Sequence, residues 1–287
     1  MNKLVKQIVR YAIILVILGV MMMPVFWLVS MSIKDPTTWY EPSLLPAKPT
    51  LDNYLWLISR EYRARFSAHI AAGVETMWTP FINSLINAGL GTILSVLAGL
   101  SAAYAMSRYK TGGTFLPFFI LTLRMLPPIT VIIPITVLFS FLGLYDTNLG
   151  MILLYALFGL PFVVLLMKSF FDEIPVEIDE AAMMDGYSPL GAFYKIITPM
   201  VKPGLVVTLL FVFIINWSDF IGALLLTQFN AYTIPVYLAK ISRGAFGTLY
   251  GLLSALGVIA TVPLIIVGYL IQRHLVRGLT FGAIKRG

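Results

Sequence analysis

Cysteine is absent from this chain of 287 residues, which excludes disulfides, thiolate metal sites and thiol catalysis. Histidine is almost absent. His69 and His274 stand alone and fall on opposite sides of the membrane topology derived below, so neither a two-His metal site nor a Ser-His-Asp triad is expected. No lysine follows a glycine, so the Gly-Lys-[Ser/Thr] end of a phosphate-cradling loop cannot occur and the chain is not expected to hydrolyse ATP itself. Charge is scarce as well, at 11% against roughly 25% in soluble domains. There is no low-complexity stretch, no obvious repeat and no sign of a second soluble domain. A basic groove with interleaved aromatics is also missing, so the net charge of +7 is read as membrane topology and not as nucleic-acid binding.

What the chain has in abundance is apolar length, with 59% hydrophobic residues. Runs nearly free of charge are long enough to cross about 30 Å of hydrocarbon, which takes roughly 20 residues. Six spans are expected, near 11–33, 78–106, 114–142, 149–169, 204–227 and 250–272, in a single all-α polytopic domain over 1–287. With the N-terminus inside, Lys3, Lys6, Arg10, Arg108, Lys110, Lys168, Lys195, Lys202, Arg273, Arg277, Lys285 and Arg286 fall on the cytoplasmic side. Lys34, Lys48, Arg60, Arg63, Arg65, Lys240 and Arg243 fall outside. That bias of twelve to seven puts both termini in the cytoplasm. The first run, 23 residues with no Ala-x-Ala-like site after it, is longer than a signal-peptide core and reads as an uncleaved anchor. The longest external segment, 34–77, is rich in proline and aromatics and reads as irregular chain at the interface.

A polar interval over 172–200 separates the fourth and fifth runs and contains Glu180-Ala181-Ala182-Met183-Met184-Asp185-Gly186, then Ile196 and Pro199. Pro175 and Pro189 sit where first helical residues belong. Gly186 suits a left-handed stop and Ser188 a cap, so a short helix–turn–helix is expected on the cytoplasmic side. Leu190, Phe193, Tyr194 and Ile197 recur at i, i+3, i+4, i+7 and predict one apolar face on the second helix.

Glu-Ala-Ala, glycine four residues on and Ile-x-x-Pro after a nine-residue gap resemble the EAA loop of permease subunits in bacterial ABC importers. The tail from Gln272 to Lys285, and Asn216-Trp217-Ser218-Asp219-Phe220, resemble carbohydrate importers of the maltose (MalG-like) type. The likeness covers roughly residues 10–287, with Thr198 departing from the leucine usual before the proline. It implies a subunit of the bacterial inner (cytoplasmic) membrane paired with a second, homologous permease. Two ATPase subunits, which carry the ATP and Mg, would dock beneath the pair, and an external substrate-binding protein would deliver a sugar, oligosaccharide or polyol. On this resemblance Glu180, Ala181, Ala182, Asp185, Gly186, Ile196 and Pro199 couple the chain to an ATPase, and Gly282, Ala283 and Lys285 of the tail reach the same partner. By the same analogy, the 34–77 segment is a docking surface for the binding protein.

Two ionisable residues lie within spans, Arg124 beside Pro127 and Pro128, and Asp219 beside Trp217. A charge at a helix centre costs roughly 2.5–3.5 kcal/mol, so each should face an aqueous cavity, a partner or another charge. Arg124, Asp219, Asn83 and Trp217 are the candidates for a translocation path, with Arg124 and Asp219 a possible pair. The competing readings are that Asp219 lies near a membrane boundary, that Arg124 snorkels or bonds loop carbonyls, and that Asn83, Ser84 and Asn216 join helices. Gly89, Gly91, Ser95, Gly99, Ala102 and Ala103 offer a small surface for close packing. Two functional alternatives stay open: an ABC permease for a non-sugar solute, and an ion-coupled transporter or channel that uses Arg124 and Asp219.

Overall fold

A computed structural model describes residues 3–62, 76–241 and 247–281. Its regular elements are helices, and the described residues contain one isolated β-bridge, Lys34 with Pro49. The chain divides into two compact units, Met1–Trp78 with Tyr237–Val262, and Thr79–Val236 with Pro263–Gly287.

In the first unit, α1 (Lys3–Ser32) is an unbroken apolar rod whose side chains are exposed over almost its whole length. Exposed leucine, isoleucine and valine on every face are stable only against apolar surroundings, so this helix is long and apolar enough to cross a membrane. The chain then turns through a short 3₁₀ segment, Pro36–Thr38, where Asp35 accepts from the Thr37 amide at 2.9 Å. It enters α2 (Asp52–Ile58), with Trp56 and Leu57 buried. The Asn53 amide nitrogen donates to the carbonyls of Ser32 (2.9 Å) and Lys34 (2.8 Å), which closes the 34–52 excursion on itself. Gly251, in the first turn of the last helix, leaves room for Trp39: a Cβ there would lie 2.1 Å from the indole nitrogen.

The second unit is built around α3 (Trp78–Arg108) and α6 (Asn148–Asp172). Small residues four apart bring them together. A Cβ on Gly91 would meet Tyr155 at 2.5 Å, one on Gly99 would meet Val163 at 2.7 Å, and one on Gly159 would meet the Ser95 hydroxyl at 2.3 Å. Ser95 also sits 2.9 Å from the Ala156 carbonyl, a hydrogen bond across the seam. Lipid gives no hydrophobic drive for helices to associate, so close approach and interhelical hydrogen bonds carry the packing. Gly89, by contrast, faces open space. On α9 (Lys202–Trp217), Asn216 donates to Thr92 at 3.1 Å and Gly204 accepts the ring of Phe170.

Two of the expected spans are not straight helices. The run 114–142 forms α4 (Phe115–Met125) and α5 (Pro128–Phe141), bent by 91° at Leu126-Pro127. Two consecutive prolines remove two backbone donors and force extended torsions before each ring. The run 204–227 is corrected more sharply: α9 stops at Trp217, and a separate α10 (Ile221–Leu226) begins after a three-residue break. The break has a local cause, because the Asp219 carboxylate accepts from the amides of Ala223 (3.0 Å) and Gly222 (3.4 Å) and caps the new helix. The final helix, α12 (Tyr250–Phe281), runs past the expected end at 272.

At the far end from the polar 172–200 interval, Asp146 holds two connections together. It adopts a positive φ of 54°, which aspartate tolerates better than most side chains. Its carboxylate accepts from the amides of Gln228 (2.8 Å), Phe229 (3.1 Å), Asn230 (3.1 Å) and Ala231 (3.2 Å), and from the Asn230 side chain at 2.9 Å. Partial burial alone would raise its pKa, but these backbone donors outweigh burial and hold it below the usual carboxylate value. α11 (Ile234–Ile241) follows, its first amide bonded to the Ser84 hydroxyl at 2.8 Å.

Two outcomes follow for the purified protein in lipid nanodiscs. Gly99→Leu should lower the melting temperature, at an overpacking cost of about 1–3 kcal/mol, whereas Gly89→Leu on the same helix should change it little. A carboxylate with a depressed pKa stabilises the fold above its unfolded pKa of about 3.9 and loses that contribution as pH falls through the lower folded value. Asp146→Asn should therefore lower the melting temperature at pH 7, with the gap to the unmodified protein closing as the pH drops below about 4.

Candidate functional site

The polar interval folds as a two-helix knuckle. α7 (Val176–Met184) follows Pro175, whose extended backbone turns the chain out of α6. Gly186 stops α7 with φ +90°, while the Tyr187 amide reaches back to the Ala182 carbonyl and the Gly186 amide to that of Met183. These bonds satisfy carbonyls that a helix end leaves open. A Cβ on Gly186 would touch nothing, so the constraint there is torsional and not steric. Ser188 then accepts from the Gly191 amide at 3.1 Å and starts α8 (Pro189–Met200), with Pro189 in its first turn.

Within α8 the turn over Phe193–Ile197 is π-helical, with the Thr198 amide bonded to the Phe193 carbonyl. Pro199 explains it, since it carries no N–H for the carbonyl four residues back and its ring crowds that group. The expected apolar face is corrected here. Phe193 and Ile197 are buried and Ile196 packs beside them, but Leu190 and Tyr194 are 70% and 60% exposed. Phe193 and Ile197 face the core while Leu190 and Tyr194 face outward, so the four residues are not buried as one face.

The inner side of the knuckle is locked to the ends of α3 and α6. Phe193 and Ile197 join a core of Leu100, Ala103, Tyr104, Met167 and Phe171. The Tyr104 ring lies 4.6 Å from Phe193 and 5.5 Å from Phe171. Its hydroxyl donates to the carboxylate of Asp179, which is buried on α7. Arg108, at the end of α3, places Nε 2.7 Å from the other Asp179 oxygen and donates through Nη1 to the Phe171 carbonyl at 3.1 Å. The Nε contact is a charge contact, since that N–H makes no aligned hydrogen bond. Beside it Ser107 donates to Asp172 at 2.6 Å, and Lys168 pairs with the same carboxylate. None of Tyr104, Arg108 and Asp179 was singled out from sequence. The signal was available, because Arg108 closes a 31-residue helix with no other charge and Asp179 immediately precedes Glu180.

Among the described residues, nothing covers the outer side. Met184 is 85% exposed, and Met183, Glu180, Ala181 and Asp185 are exposed beside it, while Ala182 is buried inward. A cleft of about 120 Å³ between the two sides is lined by Tyr109, Val176, Glu180, Met183 and Pro189, with Arg108 and Asp179 at its base. A rigid body with a fixed inner face and a free outer face of methionines, leucine and tyrosine can receive a force from a docked partner and pass it to α3 and α6.

The structure does not bring the other candidates together. Arg124 donates to the Phe158 carbonyl at 3.1 Å, with its guanidinium 4.1 Å from the Phe162 ring. It borders an apolar cavity of about 270 Å³ at the α4–α5 bend, with Leu123, Leu126, Val131 and Leu157. Asp219 is occupied as the cap of α10, so the two charges have separate partners and form no pair. Asn83 donates to the carbonyls of Asn230 (2.7 Å) and Tyr232 (3.2 Å) and supports the Asp146 corner. Trp217 is buried, edge-on to Phe81 at 6.0 Å. Gly282, Ala283 and Lys285 lie outside the described residues.

The model of the family described as "Binding-protein-dependent transport system inner membrane component" matches residues 95–281, which include both sides of the knuckle. The trehalose transport system permease protein SugB of Mycobacterium tuberculosis is 35% identical over 94% of this chain and 94% of its own length. The trehalose/maltose transport system permease protein MalG of Thermococcus litoralis is 34% identical over 95% of this chain and 96% of its own. Among solved structures, a chain of a bacterial ABC transporter involved in the import of the acidic polysaccharide alginate superposes with a TM-score of 0.74. It is 22% identical, and the match covers 95% of this chain and 98% of that one.

Removing one member of the buried pair leaves the other uncompensated, at a cost of about 3–5 kcal/mol. Asp179→Asn should therefore lower the melting temperature and open the 172–200 segment to protease. The double replacement Arg108→Met with Asp179→Leu should recover most of the melting temperature, and failure to do so would refute the uncompensated charge as the cause.

Proposed function

The chain belongs to the family of binding-protein-dependent transport system inner membrane components, and on that premise we propose that it is the permease subunit of an ATP-driven importer for a sugar, oligosaccharide or related polyol. It is a membrane component and not an enzyme. ATP and Mg belong to a separate ATPase. The sugar reading is supported by relatives named for trehalose and maltose that align over nearly the whole chain. The observation that carries the coupling role is the knuckle itself, anchored by Asp179 and Phe193 and bare at Met184, Leu190 and Tyr194.

In this reading, six crossings place both termini and the knuckle in the cytoplasm of a bacterial inner membrane. Four of the crossings are long helices and a fifth is the bent pair α4–α5; the second bent pair is α8–α9, turned by 78°, with α10 continuing beyond α9. The chain pairs with a second, homologous permease. Two ATPase subunits sit below, and an external binding protein delivers the solute. Glu180, Ala181, Ala182, Asp185 and Gly186 present the outer face to one ATPase, Ile196 and Pro199 set the seat of α8, and the tail at Gly282, Ala283 and Lys285 contributes a further contact. Closure of the ATPases moves the knuckle as a lever, and α3 and α6 follow because the Arg108–Asp179 lock does not yield. The drive comes from contacts that differ between the two states. Arg124, with its adjoining cavity, is the one intramembrane candidate left for the solute path, since Asn83, Trp217 and Asp219 hold structural partners.

Affinity purification of the tagged chain in mild detergent tests the proposal. A second permease and an ATPase should co-purify, with ATPase activity. Gly186→Val, which forces a β-branched residue into the left-handed region, should leave insertion intact and reduce both ATPase recovery and transport at least about tenfold. Purification of the chain alone, without ATPase after gentle crosslinking and with uptake that follows an ion gradient, would favour the ion-coupled alternative.

A further inference from the structure

The cavity at the α4–α5 bend holds a cation whose counter-ion is not found among the described residues. Arg124 is half-buried, spends Nη1 on the Phe158 carbonyl at 3.1 Å and lies over the Phe162 ring. Among the described residues no carboxylate pairs with it; ion pairs form instead between Arg108 and Asp179 and between Lys168 and Asp172. Every other side chain that lines the cavity of about 270 Å³ is apolar, Ile120, Leu123, Leu126, Val131 and Leu157 among them. The cavity opens on an apolar face, since Leu123, Leu126 and Leu157 are exposed. Leu149 and Leu153 of α6, four residues apart from each other and from Leu157, continue that exposed face along one side of the helix.

An anion for Arg124 could come from a solute, a lipid or a neighbouring helix, and the surroundings choose between them. A sugar brings hydroxyls as well, and these walls offer no other polar side chain to meet them. A phospholipid keeps its headgroup at the edge of the hydrocarbon layer. Arg124 is the tenth residue of α4, about 14 Å from the helix start, and Arg108 and Lys110 mark the near side. That places it close to the middle of a layer about 30 Å thick. A transmembrane helix presents a carboxylate at any depth, and its own apolar residues suit the exposed leucines.

A second copy of this chain does not supply that group. Of the 13 acidic residues, Asp219 alone falls within an expected span, and its carboxylate already accepts from the amides of Gly222 and Ala223.

We propose that the Arg124 cavity is the seat of a transmembrane helix of a different polypeptide, the second permease, which carries an aspartate or glutamate opposite the guanidinium. The proposal rests on the importer reading and deepens it. The solute path at Arg124 is bordered by an ion pair between the two permeases, and the pair requires that they be unlike.

The test uses the assembled importer in lipid nanodiscs and exploits the lack of cysteine. Leu157→Cys, at the rim of the cavity, is labelled with benzophenone-4-maleimide and irradiated, and the adducts are identified by mass spectrometry. The expected adduct lies on a transmembrane segment of the second permease that contains an acidic residue. Arg124→Met, which leaves that acid without its partner, should reduce recovery of the second permease at least about tenfold, and replacing the acid by leucine in the same complex should restore it. The label at position 157 needs no change at Arg124, so it decides even if Arg124→Met fails to fold. An adduct confined to lipid, to a bound solute or to another copy of this chain overturns the proposal, as does a segment without an acid. Unchanged recovery with Arg124→Met, or no restoration by the double replacement, overturns it too. The importer reading is decided separately, before irradiation, by whether a second permease and an ATPase co-purify. With both present, each of these failures falls on the Arg124 seat alone.

Discussion

The knuckle over 176–200 depends on one buried carboxylate. Asp179 is the only charge that α7 turns inward, and it is met by the Tyr104 hydroxyl and the Arg108 guanidinium at the end of α3. Without it, the knuckle would rest on apolar packing, chiefly of Phe193, Ile197, Ile178 and Ile196. Such a segment could rock on its aromatic seat, and a push on Met184 would be absorbed locally. A buried ion pair is poor evidence for stability, because an apolar replacement is often as stable. What the pair does provide is a single angle between α7 and α3. A lever needs that property more than it needs stability.

The same logic of fixed angles runs through the rest of the second unit. Helices in lipid gain nothing from hiding apolar surface, so their register is set by where backbones can touch and by the few polar groups that must be satisfied. Gly91, Ser95 and Gly99 set α3 against α6. Asn216 with Thr92 sets α9 against α3, and Asn83, Ser84 and Asp146 hold the opposite corner. The polar residues of the spans are therefore mostly structural, and Arg124 is the exception that opens on a cavity.

Much of this was legible in the sequence. Uncharged run lengths marked four helices long and apolar enough to cross a membrane, and the spacing of Glu180, Gly186, Ile196 and Pro199 marked the knuckle, because caps, left-handed stops and proline starts are local rules. Other features depend on tertiary contact or on backbone geometry that periodicity does not carry. Leu190 and Tyr194 face outward and not into the expected face, in a helix whose 193–197 turn is π-helical. Asp219 read as an intramembrane charge in need of a counter-ion, and it found backbone amides of its own helix start instead. Arg108 was counted only for topology, since nothing in a linear reading says that a helix-end arginine and an aspartate 71 residues later are buried against each other.

The absence of cysteine makes the central claim directly measurable, because a single cysteine introduced at position 184 carries a photocrosslinker without background. The assembled importer would be irradiated with the probe on that outer face, and the adduct identified by mass spectrometry. The account predicts a crosslink to an ATPase subunit that is lost when Asp179→Asn loosens the knuckle. A crosslink to lipid or to the second permease alone, in a complex that still hydrolyses ATP and transports, would contradict it.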